Sequence, residues 1–127
     1  SSTSRGLGDV YKRQDINIFV LAATEMETVV RALGCSWSGE IFADRAYNED
    51  ATLVDRSLPN AVISDPELAA QRVLEMVRSK AIISSTGTSI PARIDTICLH
   101  GDGESALKIA RSVRQSLTAD GIKVTKV

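Results

Sequence analysis

Aromatic side chains are scarce in this chain, at 4% of residues, so stacking on bases or sugar rings is not a theme. An excess of one charge is missing too. Fifteen basic residues face sixteen acidic ones, and no basic stripe occurs, which sets nucleic acid aside as a partner. The longest apolar run, near Ile18–Ala23, falls far short of the roughly 20 residues that a membrane-spanning helix needs. No apolar segment follows the basic residues near the start, so no secretory signal is read there. Cysteine occurs only twice, as Cys35 and Cys98, with no CxxC and no metal spacing. Two buried thiols in a reducing cytoplasm is the simpler reading, with a disulfide between them as the alternative. Histidine occurs once, as His100, and a lone histidine is not a metal-ligand pattern.

What remains is an ordinary globular balance. The 127 residues are 43% hydrophobic and 24% charged, enough for one modest core and therefore one domain or a piece of one. The first fourteen residues, SSTSRGLGDVYKRQ, differ from the rest and have no helical or strand period. GLGDVYKRQ looks like translated sequencing-adapter read-through. Residues 1–14 are therefore set aside as a non-native head. The fold is expected in 15–127, with natural sequence expected upstream.

From there the chain alternates. DINIFVLAA (15–23) reads as a strand buried on both faces. TEMETVVRALG (24–34) reads as a helix with Thr24 as cap and Gly34 as stop. Its core-facing stripe is Met26, Val29, Val30 and Leu33. CSWSGEIFA (35–43) is a second strand. In NAVISDPELAAQRVLEMVRSK (60–80), Ser64 or Asp65 caps a helix, Pro66 suits its first turn and Glu67 can complete a capping box. Leu68, Val73, Leu74 and Val77 supply its apolar face. AIISSTGTSIPARID turns as a hairpin near Thr86-Gly87. TICLH (96–100) is a short buried strand, 105–121 an amphipathic helix stopped by Gly121, and IKVTKV (122–127) a last strand. Alternating strands and helices predict an α/β fold with a mainly parallel sheet, open or closed into a barrel.

In such folds ligands bind at the carboxyl ends of parallel strands. Two segments fall there. EIFADRAYNEDATLVDRS (40–57) holds seven formal charges without glycine or proline. Arg45 and Arg56, brought to one mouth, would suit a carboxylate or phosphate held bidentately, with Glu40 and Asp44 as carboxylates in the same cleft. The plainer reading is a surface ion-pair cluster. His100-Gly101-Asp102-Gly103 is the second segment. An unperturbed imidazole has a pKa near 6.5, which makes His100 a candidate for proton transfer at neutral pH, the plainer reading being a histidine that satisfies backbone groups at a strand end. Gly101 lets another backbone approach closely. Asp102 is a base, a water-positioning group or simply a helix cap.

These residues resemble a family. EIFADRAY, LVDRS, the helix opening at D-P and the strand end DTICLHGDGESAL are similar to the C-terminal half of the 5-oxoprolinase A-subunit family, also called the LamB/YcsF lactam-utilisation family. The resemblance covers residues 15–127. Asp55 stands where family members often have proline. The family's N-terminal motifs, N-D-x-G-E, C-G-x-H-x-G-D and K-P-H-G, are absent from this sequence.

The resemblance implies the C-terminal half of an irregular (β/α) barrel related to sugar deacetylases. It implies a cytoplasmic enzyme that uses ATP and partner subunits B and C to open the lactam 5-oxo-L-proline to L-glutamate. On this reading Asp44, His100 and Asp102 surround the reacting group. Arg45 and Arg56, with Ser57 and Gly101 beside them, hold substrate or phosphoryl oxygens, and Glu40 orients an arginine. A fragment alone is expected to be inactive. The alternatives are a standalone α/β anion-binding module at Gly101–Gly103 and an assembly surface.

Overall fold

Apolar, partly β-branched runs pair first. In the computed structural model, which describes residues 16–101 and 104–125, β1 (Ile18–Leu21) lies parallel to β2 (Trp37–Phe42), with Ile18 opposite Trp37 and Leu21 opposite Glu40. Between them runs α1 (Glu25–Leu33), stopped by Gly34 in the left-handed conformation that a residue without Cβ tolerates best. Thr24 precedes the helix but does not cap it through its side chain. Its hydroxyl donates to the Leu21 carbonyl instead, at 2.7 Å.

α2 (Pro66–Ser79) starts as its sequence requires. Asp65 accepts from the Glu67 N–H at 3.1 Å, and Pro66 occupies the first turn, where no N–H is needed. β3 (Ala81–Ile83) and β4 (Ser89–Pro91) form an antiparallel hairpin of their own. β5 (Thr96–Cys98) then pairs parallel to β2, giving the sheet order β1-β2-β5, and α3 (Glu104–Ala119) follows.

One face of the sheet is covered. Ala43, Ile63, Ala69, Ala70 and Val73 pack with Ile109, Val113 and Leu117 of α3, and Ile97 and Leu99 join them. A second cluster puts Ile41 and Tyr47 against Met76 of α2 and Ile82 of the hairpin. Each of these large apolar side chains contributes about 1.5–3 kcal/mol on burial. No described helix is long and apolar enough to cross a membrane.

Several expectations need correction. β1 is not buried on both faces, since Phe19 is half exposed. In α1 only Val30 is buried, while Met26, Val29 and Leu33 face outward because no described element packs against them. On α2 Leu68 is exposed, and the tightest contacts come from Ala69, Ala70, Val73 and Met76. β5 is only partly buried. Residues 122–125 form no strand, and 126–127 lie outside the described residues. A strand needs a neighbour to pair with, and Ile122 instead packs on the α2–α3 core. Cys35 is buried and Cys98 half-buried, both as free thiols.

Candidate functional site at the strand ends

Register builds the site. β2 and β5 pair Glu40 with Thr96, Ile41 with Ile97 and Phe42 with Cys98. The pairing runs on past the strands, since the Ala43 N–H donates to the Cys98 carbonyl at 3.0 Å. Two residues beyond Phe42 and Cys98 stand Asp44 and His100. Strand alternation therefore puts Glu40–Thr96, Phe42–Cys98 and Asp44–His100 on one face, as three successive cross-strand pairs. Ile41, Ala43 and Ile97 point the other way, into the core.

The first pair is a hydrogen bond, Thr96 Oγ1 donating to Glu40 Oε2 at 2.9 Å. Glu40 is thus placed by Thr96, and not set against an arginine as expected. At the third pair the His100 backbone N–H donates to Asp44 Oδ2 at 3.0 Å. The other carboxylate oxygen, Oδ1, is buried without a hydrogen-bond partner among the described residues and lies 3.6 Å from His100 Nδ1. Asp44 is enclosed, its side chain 7% exposed, whereas the His100 side chain is 43% exposed. The Phe42 ring sits against the imidazole, centroids 4.6 Å apart and planes tilted by 45°. Gly101 follows with φ +127°, a conformation open to glycine, and turns the chain toward α3. Asp102 lies outside the described residues.

Burial raises the Cys98 thiol pKa, with the Glu40 and Asp44 carboxylates adding to it. A protonated thiol is a poor nucleophile. Among the described residues no three His, Cys, Asp or Glu side chains gather closely enough to hold a metal ion.

The arginines do two different jobs. Arg45 is buried, and its guanidinium donates from Nη2 to the Val54 carbonyl at 2.8 Å. It pins the returning arm of the 48–62 loop, helped by backbone bridges between Arg45 and Val62 and between Tyr47 and Leu53. Arg45 is thus enclosed rather than open to solvent, with Nη2 given to a loop carbonyl and Nε buried without a partner among the described residues. Arg56 is exposed to solvent. Ser57 is held within its turn, its N–H and Oγ both donating to Asp55 Oδ1 at 2.9 Å. These bonds, the backbone one first, hold the Asp55 carboxyl below its ordinary pKa. Asp55 thus shapes locally the turn that proline would have stiffened.

Residues not singled out by the sequence also belong to this region. Tyr47 Oη accepts from the Phe42 N–H at 2.8 Å, and Arg72 Nη1 donates to the Arg45 carbonyl at 3.3 Å. Burial lowers the Arg72 pKa. Phe42 lies two positions before Asp44, and Cys98 and Thr96 two and four before His100, so their shared face follows once the register is known.

Comparisons with known proteins agree on one family. The model of the LamB/YcsF family matches residues 6–127. The 5-oxoprolinase A subunit of Ruegeria pomeroyi is 61% identical over 111 residues, which cover 87% of this chain and 44% of that protein. A protein of the same name from Rhodopseudomonas palustris is 45% identical over 124 residues, 96% of this chain and 49% of that one. The crystal structure of a lactam utilization protein from Thermus thermophilus superposes with a TM-score of 0.79 at 34% identity, covering 98% of this chain and 50% of that one. The chain spans about half the length of these relatives.

Proposed function

The chain belongs to the LamB/YcsF family, and from that premise we propose that it is one portion of a 5-oxoprolinase A subunit whose strand-end rim supplies proton transfer for opening a lactam. The substrate is 5-oxo-L-proline and the product L-glutamate. ATP is the co-substrate, subunits B and C are the partners, and the setting is the cytoplasm. The observation that carries this reading is the register of β2 and β5, which sets a buried carboxylate behind an exposed imidazole at the carboxyl end of a parallel sheet. The names of the relatives support the substrate class, and their designation as one lettered subunit supports the existence of partner subunits.

The chemistry explains why such a pair is wanted. A lactam is an amide and resists water. Transfer of a phosphoryl group from ATP to the amide oxygen activates the carbon. Water then adds to that carbon, losing a proton, and the C–N bond breaks as the nitrogen gains one. That leaves an acyl phosphate, which a second water hydrolyses to the free carboxylate and phosphate. A group that accepts and returns a proton contributes about 10²- to 10⁴-fold to such a step. His100 is the group to which this reading assigns the proton transfer. Asp102 is the second proton-handling group that the family resemblance implies. Arg56 and the backbone at Gly101 are the exposed groups suited to carboxylate or phosphoryl oxygens. Arg45 and Ser57 shape the loop that carries Arg56, and Glu40 lines the same face.

The remainder of a longer A subunit closes the sheet into a (β/α) barrel. Among the described residues β1 and β5 each pair on one side only, and α1 turns Met26, Val29 and Leu33 outward. Residues that the remainder would cover are therefore already apolar. The test replaces the matching part of the Ruegeria pomeroyi protein with this chain and measures ATP-dependent glutamate release with subunits B and C. Turnover by the chimera and none by this chain alone is expected. Turnover by this chain alone, or none by the chimera, overturns the proposal.

A further inference from the structure

The strand-end pair contains an unexplained group. A carboxylate has two oxygens, each able to accept hydrogen bonds, and burying one without a donor is costly. Asp44 Oδ2 is satisfied by the His100 backbone N–H. Oδ1 is buried and unpartnered among the described residues, and the atom facing it is His100 Nδ1, at 3.6 Å. That separation is slightly longer than a hydrogen bond, and a small rotation of the ring closes it. Only a protonated Nδ1 gains from doing so, because a bare Nδ1 would set one lone pair against another. The Phe42 ring on one side and the bonded backbone of His100 on the other restrict how the imidazole can turn.

We propose that Asp44 is a positioning residue that keeps the proton of neutral His100 on Nδ1, leaving Nε2 as the atom that exchanges protons with a ligand. Asp44 itself is enclosed and acts through the histidine, not on the substrate. The role in turnover rests on the reading of His100 as the proton-transfer group. The choice of tautomer does not, and can be measured without turnover.

His100 is the only histidine in the chain, so ¹⁵N-labelled histidine gives two ring signals that need no assignment against others. In the 127-residue chain at alkaline pH, where the ring is neutral, Nδ1 is expected to carry the proton and Nε2 to be bare. The informative variant is Asp44→Asn. Its single oxygen is claimed by the His100 backbone N–H, which leaves the amide NH₂ facing Nδ1. Nδ1 must then accept, and the proton is expected to move to Nε2. In the chimera the same variant is expected to lower kcat by roughly a hundredfold or more with KM changed less than about threefold, since ring orientation and not ligand affinity is lost.

A wild-type ring protonated on Nε2 overturns the proposal whether or not the variant folds. So does an Asp44→Asn variant that keeps the proton on Nδ1. A chimera with wild-type residues and no turnover, combined with the expected tautomers, removes the lactam reading while leaving the positioning role in place.

Discussion

Tyr47 shows how much a single side chain organises here. It is fully enclosed, yet its hydroxyl oxygen accepts the Phe42 N–H at the end of β2. Phe42 in turn walls the imidazole of His100. Burial pushes the Tyr47 pKa up to about 12, partly offset by the Phe42 hydrogen bond. The unfolded chain loses this proton near pH 10 while the folded one keeps it. Stability from this group is therefore whole below pH 10 and declines as pH rises through about 12. Tyr47→Phe is expected to flatten that decline in thermal melts between about pH 9 and 11. At neutral pH it should cost about 1–3 kcal/mol, because the Phe42 N–H loses its acceptor. The sequence places Tyr47 near the site through the stretch EIFADRAY but does not reveal its job. A hydroxyl that reaches back to a backbone five residues earlier leaves no periodic trace. Arg45 is the opposite case. A charged residue after a strand reads as a ligand for anions, and only the fold reveals that the Val54 carbonyl has taken it.

Among the elements, β2 is the keystone, and Gly39 is its most constrained position. A Cβ there would stand 1.9 Å from the Arg93 carbonyl oxygen, since the segment before β5 crosses directly over the strand. One backbone bond and one to a side chain hold it there: the Asp95 N–H donates to the Gly39 carbonyl at 2.7 Å, and the Gly39 N–H donates to Asp95 Oδ2 at 2.9 Å. That crossing feeds β5 into register with β2 and so fixes Asp44 beside His100. Gly39→Ala is expected to cost about 1–3 kcal/mol or more by overpacking, read as a lowered urea midpoint with an unchanged slope.

Most elements were legible because their signals are local. Gly34, the Asp65-Pro66 cap, the Thr86-Gly87 turn and Gly121 each act within a few residues. Two signals misled. The stripe Met26-Val29-Leu33 says which side of α1 is apolar, not whether anything lies on it. The β-rich ending IKVTKV says that a strand is possible, while pairing depends on a partner that β5 does not meet among the described residues.

At the scale of the whole molecule, one face of the sheet packs against α2 and α3 and the other holds the candidate site. α2 and α3 close the first around Val73, Ile109 and Val113. On the second, Phe19, Phe42, Cys98 and His100 keep part of their surface open. An apolar groove of about 630 Å³ also runs between β5, α3 and residues 122–125, lined by Ile97, Leu99, Val113 and Leu117 and holding none of the rim residues. Open strand edges, an unfilled groove and an uncovered apolar helix stripe occur together among the described residues, and the chain spans about half the length of its relatives. The spacing of Asp44 and His100, 56 residues apart in sequence, was readable only as two motifs. Their meeting follows from parallel pairing, which no local pattern encodes.

The most direct measurement is the turnover of the chimera with His100→Asn, in the presence of ATP and subunits B and C, against the same chimera with His100 intact. The expected result is a fall in kcat of about 10²- to 10⁴-fold with little movement of the thermal midpoint, since the imidazole is partly exposed. Turnover within a few-fold of the unsubstituted chimera would contradict the role given to this histidine.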